Sequence, residues 1–406
     1  MKKPTMFLFT IKFPYDKGEE FLENEIPIIS KYFDIIIVPY NKGKEIRRIP
    51  KNVKVDDFFA EIKSKKNILF YGIMKNRYII KEFIDSKNIY FYKSIKYFGL
   101  EEIFKKWFEQ YKNISSNIIF YSYWMTEAAY ALGKLRRKLS QRNILISRAH
   151  RFDLYEYLYK GNYLPLRKKI LKNIDKVFCV SENGKNYLLK KYPQYTEKIE
   201  ISRLGVMPQN KTNEPSKDGN LRIVTCSYLK PVKRVHLVID ALSILSKKIK
   251  KNIIWTHIGD GPLEEELKSR AQKLDSANIF YKFSGRMENK DVQKYYRENP
   301  IDLFLNVSES EGLPVSIMEA LSFGIPVMAT AVGGTPELVD DKVGKLLPAD
   351  LTPDILAESI KEFINLSDEE IELKRKNALK RWNEKVNAIK NYEDFSKRIL
   401  ELLDER

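Results

Sequence analysis

Residues 303–339 read LFLNVSESEGLPVSIMEALSFGIPVMATAVGGTPELV. Leu303–Val307 is a short apolar run of strand length, and the polar segment from Ser308 to Pro314, punctuated by Gly312 and Pro314, reads as a turn. Pro314 suits the first turn of a helix, where its missing N–H leaves nothing unpaired. Val315, Ile317, Met318, Ala320 and Leu321 then predict a largely apolar helix over Pro314–Phe323, and Pro326–Ala329 predicts a second strand. Strand, turn, helix and strand make one βαβ unit, the element of a parallel sheet with helices packed on it.

The same alternation runs outward in both directions. Strands are predicted at Met6–Thr10, Phe33–Val38, Asn67–Tyr71, Asn117–Tyr121, Ile144–Arg148, Lys176–Val180 and Ile199–Arg203 in the first half. In the second half they fall at Arg222–Ser227, Asn252–Ile258, Phe280–Ser284 and Gly344–Leu347, besides the two already named. Helices fit between them, at Glu19–Ser30, Thr126–Leu139, Val235–Leu245, Pro262–Leu274 and Pro353–Asn365, with a highly charged helical tail from Asp368. The expected fold class is α/β, with two doubly wound, Rossmann-like domains whose strand ends face a cleft. Residues 207–220, MPQNKTNEPSKDGN, are almost free of apolar side chains and predict a linker. The expected division is 1–206, linker 207–220, 221–385, and a last helix, 386–406, that packs back on the first domain.

Composition excludes several classes. With 406 residues and 43% hydrophobic side chains the chain can bury real cores, so wholesale disorder is out. Cys179 and Cys226 cannot build a disulfide scaffold, and His150, His236 and His257 are too widely spaced for a metal-ligand pattern. No stretch approaches the ~18 consecutive apolar residues of a membrane span. The N-terminal apolar run, Met6 to Ile11, falls short of the about 7–15 residues of a signal-peptide core and reads as a buried first strand, so a cytoplasmic protein is expected.

The net charge of +18 is unevenly placed. Residues 1–206 carry 41 Lys and Arg against 22 Asp and Glu, whereas residues 207–406 carry 31 against 32. The basic residues cluster at Lys134, Arg136, Arg137, Lys138 and Arg142, and again at Arg167, Lys168, Lys169 and Lys172. Such a field draws an anionic partner, a nucleic acid, a phosphorylated lipid or a membrane face, unless it is only a solvated surface. Aromatic–basic stretches such as YKSIKYF do not add up to a recognisable nucleic-acid-binding module, so no nucleic-acid partner is expected.

Chemistry concentrates at the turn. Backbone amides at the start of the Pro314 helix favour an anion. Glu311 lies in the turn itself and Glu319 eight positions on, three after Ser316, among apolar neighbours. A carboxylate so placed needs a hydroxyl or amide partner, such as a sugar or ribose, to offset partial burial. From spacing alone, a capping residue followed by a solvent-facing helical Glu is an equally open reading.

From Glu311 to Glu337 the pattern EGLPxxxxEALxxGxPVxATxxGGxxE resembles the E-x7-E signature of the family-four retaining glycosyltransferases, which have the two-domain GT-B fold. Gly259-Asp260-Gly261-Pro262 resembles that family's second loop, Ser284-Gly285-Arg286-Met287 its nucleobase loop, and CSYLKPVKRV (226–235) its diphosphate-gripping segment. FPYDKGEEFLENEI (13–26), YSYWMTEAAYAL (121–132), SRAHRFDLYE (147–156) and SENGKNYL (181–188) resemble the subgroup that builds bacterial surface polysaccharides.

The resemblance implies transfer of a sugar from a nucleoside diphosphate donor to a hydroxyl of a saccharide acceptor, with retention. It implies no cofactor and no metal. Glu319 falls on the ribose-binding position and Glu311 on the donor-sugar position, with Lys233 and the amides around Gly312 and Leu313 on the diphosphate. Pro314, Ser316, Arg286 and Met287 complete the donor set, His150 is a donor-sugar contact at a strand end, and Gly18 lets the backbone approach the diphosphate. Tyr228 stands where the family has an Arg, leaving Lys230, Arg234 or Tyr228 itself to take that place. The acceptor falls to the basic first domain, and a lipid-linked saccharide on the inner face of the cytoplasmic membrane fits that charge. The rival readings are a sugar-nucleotide epimerase or a phosphorylase on the same fold, or a nucleic-acid-binding protein.

Overall fold

The computed structural model describes residues 3–62, 91–139, 142–274 and 278–405. The chain forms two compact units, residues 1–203 with 389–406, and residues 204–388. The predicted strand Asn67–Tyr71 lies outside the described residues.

Among the described residues the first unit forms a seven-stranded parallel sheet in the order β3-β2-β1-β4-β5-β6-β7. Its strands are β1 Thr5–Thr10, β2 Asp34–Pro39, β3 Lys54–Val55, β4 Ile118–Ser122, β5 Asn143–Ala149, β6 Lys176–Cys179 and β7 Ile199–Ile201. The helices are α1 Leu22–Ile29, α2 Phe58–Glu61, α3 Phe91–Phe108, α4 Glu127–Leu135, α5 Arg167–Asn173 and α6 Glu182–Lys191. Strands β1, β4 and β5 are buried on both faces, which is why their sequences are dominated by apolar residues, with Arg148 the buried charge among them. On one face Trp107 packs edge-on against Phe7 at 5.0 Å and Phe9 at 5.1 Å, while its indole N–H donates to Asp56 at 2.7 Å. An indole buried among rings needs such an acceptor for its one polar atom.

The second unit is a six-stranded parallel sheet in the order β10-β9-β8-β11-β12-β13. Its strands are β8 Leu221–Cys226, β9 Ile253–Ile258, β10 Ile279–Phe283, β11 Leu303–Asn306, β12 Val327–Thr330 and β13 Gly344–Leu347. Helices α7 His236–Ser246, α8 Glu264–Ala271, α9 Asn289–Glu298, α10 Val315–Ser322, α11 Pro353–Ile364 and α12 Asp368–Lys385 accompany it. Ser367 and Glu370 form a reciprocal capping box that starts α12. The two doubly wound sheets expected from the sequence are both present.

Residues 207–220, expected as a linker, are instead fastened into the second unit. Asn213 is buried and its amide donates to the carbonyls of Tyr296 at 2.6 Å and Asn299 at 2.7 Å, while Ser216 donates to Asp302 at 2.6 Å. The segment is held by side-chain hydrogen bonds in place of apolar burial, so its polarity imitates that of a free linker.

The last helix, α13 Ala388–Asp404, belongs from residue 389 on to the first unit. Phe395 meets Phe178 at 4.9 Å, and the fully buried Arg148 lies 4.3 Å from the Phe395 ring. Arg148 also donates to Tyr121 Oη and Ser202 O, both at 2.6 Å, and lies 3.4 Å from Glu25. A fully buried guanidinium survives because every side of it is occupied by an acceptor or a ring.

Candidate active site

In an open parallel sheet, ligands bind beyond the carboxyl ends of the strands, where the strand order reverses. In the second unit that point lies between β8 and β11, and the loops leaving these two strands carry Tyr228–Lys233 and Ser308–Pro314.

Lys233 closes a short 3-10 turn, Pro231–Lys233, and its Nζ donates to Glu311 Oε1 at 2.5 Å. Asn306, at the end of β11, lies 3.5 Å from the same oxygen and holds the Ser308 N–H at 3.1 Å through its own carbonyl. Glu311 is thereby fixed by a cation and an amide with only 8% of its surface exposed. Its backbone is fixed from behind: Gly334 N–H donates to Gly312 O at 2.7 Å, and a Cβ on Gly333 would stand 1.8 Å from the Glu311 carbonyl oxygen. Gly333 also has φ +55°, a conformation that costs other residues strain.

Helix α10 starts at Val315, with Pro314 as its N-cap residue and not its first helical residue. The Ile317 N–H goes to Pro314 O at 3.2 Å, so the amides of Val315 and Ser316, rather than those of Gly312 and Leu313, open the helix. Glu319, one turn on, is 6% exposed and accepts from the Asn289 amide at the start of α9. Asn289 in turn accepts from Gln293 at 2.7 Å. The reading of Glu319 as a solvent-facing helical residue is thereby excluded. Burial, with the Glu319 carboxylate nearby, pushes the Cys226 thiol up to about 12, so it stays a thiol.

Arg234 spends its guanidinium on the carbonyls of Val307 at 2.8 Å, Ala349 at 3.1 Å and Ser308 at 3.2 Å. It fastens the loop and is not a spare cation. Tyr228 is 53% exposed, with Lys230 Nζ 6.0 Å from its ring centre.

Behind these loops the strand ends are tied together. Leu229 N–H donates to Asp260 O at 2.7 Å, and Gly259 N–H to Gly285 O at 2.8 Å. The latter bond joins the Gly259–Pro262 turn to the loop carrying Arg286, which is exposed, and Met287, which is half-buried. Under them lies a fully buried chain: Trp255 N–H to Thr225 Oγ1 at 3.0 Å, Thr225 to His257 Nδ1 at 2.8 Å, and His257 Nε2 to Ser227 O at 3.1 Å. Burial lowers the His257 pKa to about 4, which keeps the ring neutral and its Nε2–H on the Ser227 carbonyl.

In the first unit the strand order reverses between β1 and β4. The loop after β1 is closed by Glu19, whose carboxylate accepts from the N–H groups of Ile11 at 3.0 Å, Lys12 at 2.8 Å and Phe13 at 2.9 Å, and from the Trp124 indole at 2.6 Å. This residue carries the local architecture, and no spacing in the sequence pointed to it. Gly18 is not at a helix start, since α1 begins only at Leu22. Its N–H is held by Glu20 at 2.8 Å and its carbonyl by Arg47 at 2.7 Å. The amide expected to approach a diphosphate is therefore already used.

His150 follows β5 and is 8% exposed. Its ring lies 4.3 Å from Trp124 and 4.9 Å from Tyr123, centre to centre, with Phe21 beyond at 5.9 Å. Nδ1 is 3.7 Å from Asp153 Oδ2, outside hydrogen-bond length, and neither ring nitrogen has a hydrogen-bond partner. Burial alone would raise the Asp153 carboxyl. The His150 ring and the N–H groups of Met125 and His150 outweigh that and hold it below the usual carboxylate range.

The basic clusters divide. Arg136 is buried against Asp175 and Asn143, and Arg167 against the carbonyls of Asp153 and Met125, so these two serve the fold. Arg137, Lys138, Lys168 and Lys172 are exposed. Among the described residues no three His, Cys, Asp or Glu side chains are grouped to hold a metal ion, and no helix is long and apolar enough to cross a membrane.

Residues 206–382 match the family described as glycosyl transferases group 1. The protein named colanic acid biosynthesis glycosyltransferase WcaL from Escherichia coli K12 is 26% identical over 285 residues, 68% of each chain. The amylovoran biosynthesis glycosyltransferase AmsK of Erwinia amylovora is 32% identical over 160 residues, 37% of this chain and 39% of its own. Among solved structures, Anabaena Alr3699/HepE in complex with UDP superposes with TM-score 0.67 at 16% identity, covering 98% of this chain and 100% of that one. Its likeness is one of fold, the GT-B class of paired Rossmann-like units.

Proposed function

We propose, from the match of residues 206–382 to the group 1 glycosyl transferases, that the second unit binds a nucleoside diphosphate sugar and that the enzyme transfers the sugar, with retention, to a saccharide hydroxyl in cell-surface polysaccharide biosynthesis. The observation that carries this reading is the Lys233–Glu311 pair at the β8/β11 reversal, with the buried Glu319 eight residues further on. Names of relatives, colanic acid and amylovoran biosynthesis, and the UDP bound by the HepE structure support the substrate classes.

In this reading Lys233 moves from carboxylate to diphosphate and shares its charge with both. The Val315 and Ser316 amides add donors at the start of α10, where an anion is favoured. Glu311 accepts from sugar hydroxyls and Glu319 from the ribose. Charge that develops on the departing diphosphate is met by groups already oriented, the arrangement that lowers a barrier without reorganisation. The departing oxygen takes the acceptor proton on the same face of the sugar, so no protein nucleophile is needed. Lys233 supplies the positive charge in place of a metal, and no cofactor takes part.

The exposed part of the basic surface supports a lipid-linked acceptor at an anionic membrane, each such residue contributing about 1 kcal/mol near the surface. Vesicle flotation with and without anionic lipid at low salt tests that part, and equal recovery would remove it. The reaction itself is tested by incubating purified enzyme with UDP-sugars and a saccharide acceptor panel in EDTA and assigning the product anomer by NMR. A new glycosidic bond with the donor's anomeric configuration is expected. An inverted product, or epimerised donor without acceptor, would refute it.

A further inference from the structure

Two of the exposed basic residues, Arg137 and Lys172, line one cavity of about 410 Å³ in the first unit. Asn143, Asp175 and Lys198 line it too. Asn143 begins β5, Asp175 immediately precedes β6 and Lys198 immediately precedes β7. The cavity therefore lies at the amino ends of these strands. An open parallel sheet does its chemistry at the other edge, beyond the carboxyl ends, so a ligand here is neither donor nor acceptor of the reaction proposed above.

The walls are fixed and their own charges are spent. Arg136 is buried, paired with Asp175 and hydrogen-bonded to Asn143 Oδ1 at 3.0 Å. Asp175 also accepts the Leu145 N–H at 2.7 Å. Lys198 Nζ donates to the carbonyls of Leu171 at 3.1 Å, Lys172 at 3.0 Å and Ile174 at 2.8 Å, where α5 ends. Bare carbonyls at a helix end repel an anion, and the ammonium covers these. Gly133 in α4 lets the end of α5 close in, since a Cβ there would stand 2.8 Å from Asn173 Cβ.

Four basic residues and one acidic residue line the cavity, an excess of three positive charges. With Arg136 held by Asp175 and Lys198 by the helix end, Arg137 and Lys172 supply the charge that a ligand meets. Both are exposed, and among the described residues neither side chain has an ion-pair or hydrogen-bond partner. A guanidinium and an ammonium on a fixed polar wall suit a doubly charged group with several acceptor oxygens. A single carboxylate offsets only one of the two cations. The volume is that of a small organic ligand and exceeds what a bare ion fills.

We propose that this cavity binds a phosphomonoester, with its phosphate on Arg137 and Lys172, at a site separate from the reaction. The proposal stands independently of the donor reading. A phosphatidic acid headgroup and a soluble phosphorylated molecule share this chemistry, and the experiment separates the two.

The test uses the full chain at saturating UDP, which occupies the diphosphate-binding turn. Glycerol phosphate is followed by isothermal titration, and phosphatidylcholine vesicles with and without phosphatidic acid by flotation. Both are run on wild type, on Arg137→Ala/Lys172→Ala, and on Lys250→Ala/Lys251→Ala, an exposed pair in the second unit with the same loss of charge. Wild type is expected to bind at least one probe, with affinity about tenfold or more weaker in the cavity variant and unchanged in the second-unit variant. Binding of glycerol phosphate assigns a soluble ligand, and binding of the phosphatidic acid vesicles alone assigns a lipid. Neither probe binding to wild type, undiminished binding in the cavity variant, or an equal loss in the second-unit variant would each overturn the proposal. Failure of the donor reading shows separately, as no heat of UDP binding to wild type.

Discussion

Replacing Gly333 with Ala puts a methyl group 1.8 Å from the carbonyl oxygen of Glu311. An ordinary Cβ contact needs 3.4 Å or more, so the Glu311–Gly312 backbone must retreat by over ~1 Å or the Gly333 loop must open by as much. The loop resists, because Gly334 N–H is hydrogen-bonded to Gly312 O at 2.7 Å, and the alanine backbone also has to adopt φ +55°. A displacement of about 1 Å in a positioning group costs roughly 100-fold in rate. The assay is steady-state kcat/KM with the UDP-sugar identified by screening, accompanied by Tm. Gly333→Ala is expected to lose about 100-fold in kcat/KM while staying folded. Gly219→Ala, which also requires a positive φ (+81°) but whose Cβ meets nothing within 4 Å, serves as the control for backbone strain and should fall far less. Wild-type kcat/KM in a folded Gly333→Ala enzyme would refute the claim that the Glu311 turn positions the donor.

Other consequences are more direct. Lys233→Ala removes one charge-assisted hydrogen bond and should lower kcat/KM by roughly 10- to 150-fold, the equivalent of about 1.5–3 kcal/mol. Asn289→Ala strips Glu319 of its amide partner and should raise donor KM about 5- to 20-fold, with kcat moving less. His257, neutral when folded down to about pH 4, gains a proton more readily when unfolded. The unfolded state therefore binds more protons between about pH 6.5 and 4, and stability falls as pH drops through that window, by about 3 kcal/mol in full. Urea denaturation of wild type and His257→Gln should show the slope shrinking in the variant, whose side chain does not titrate. Arg148→Met leaves Glu25 buried without its cation and should cost about 3–5 kcal/mol of first-unit stability, read as a shift in urea midpoint.

The architecture was readable because both sheets are parallel and their central strands are buried on both faces, so these appear as apolar runs between helical periods. The two-residue strand β3, Lys54–Val55, is half exposed and leaves no such trace. Glu311 and Glu319 stood out because one motif carries both at fixed spacing, and the structure buries both and sets Lys233 against Glu311. The amide partners of the two carboxylates did not stand out. Asn306 and Asn289 reach Glu311 and Glu319 across strand ends or loops, as Trp124 reaches Glu19 in the first unit, and hydrogen bonds between distant segments leave no period in a sequence. Gly18 and Arg136 mislead for the opposite reason: residue type suggested an available amide and a free cation, and neighbouring side chains had already taken both.

The central claim is that Lys233, Glu311 and Glu319 hold an activated sugar. Isothermal titration of wild type and of the Glu311→Gln/Glu319→Gln double variant with a panel of nucleoside diphosphate sugars measures it most directly. The account predicts saturable, one-to-one binding of at least one panel member to wild type, weakened more than 100-fold in the double variant. Undiminished affinity in a folded double variant, or a wild type that binds none of the panel, would contradict it.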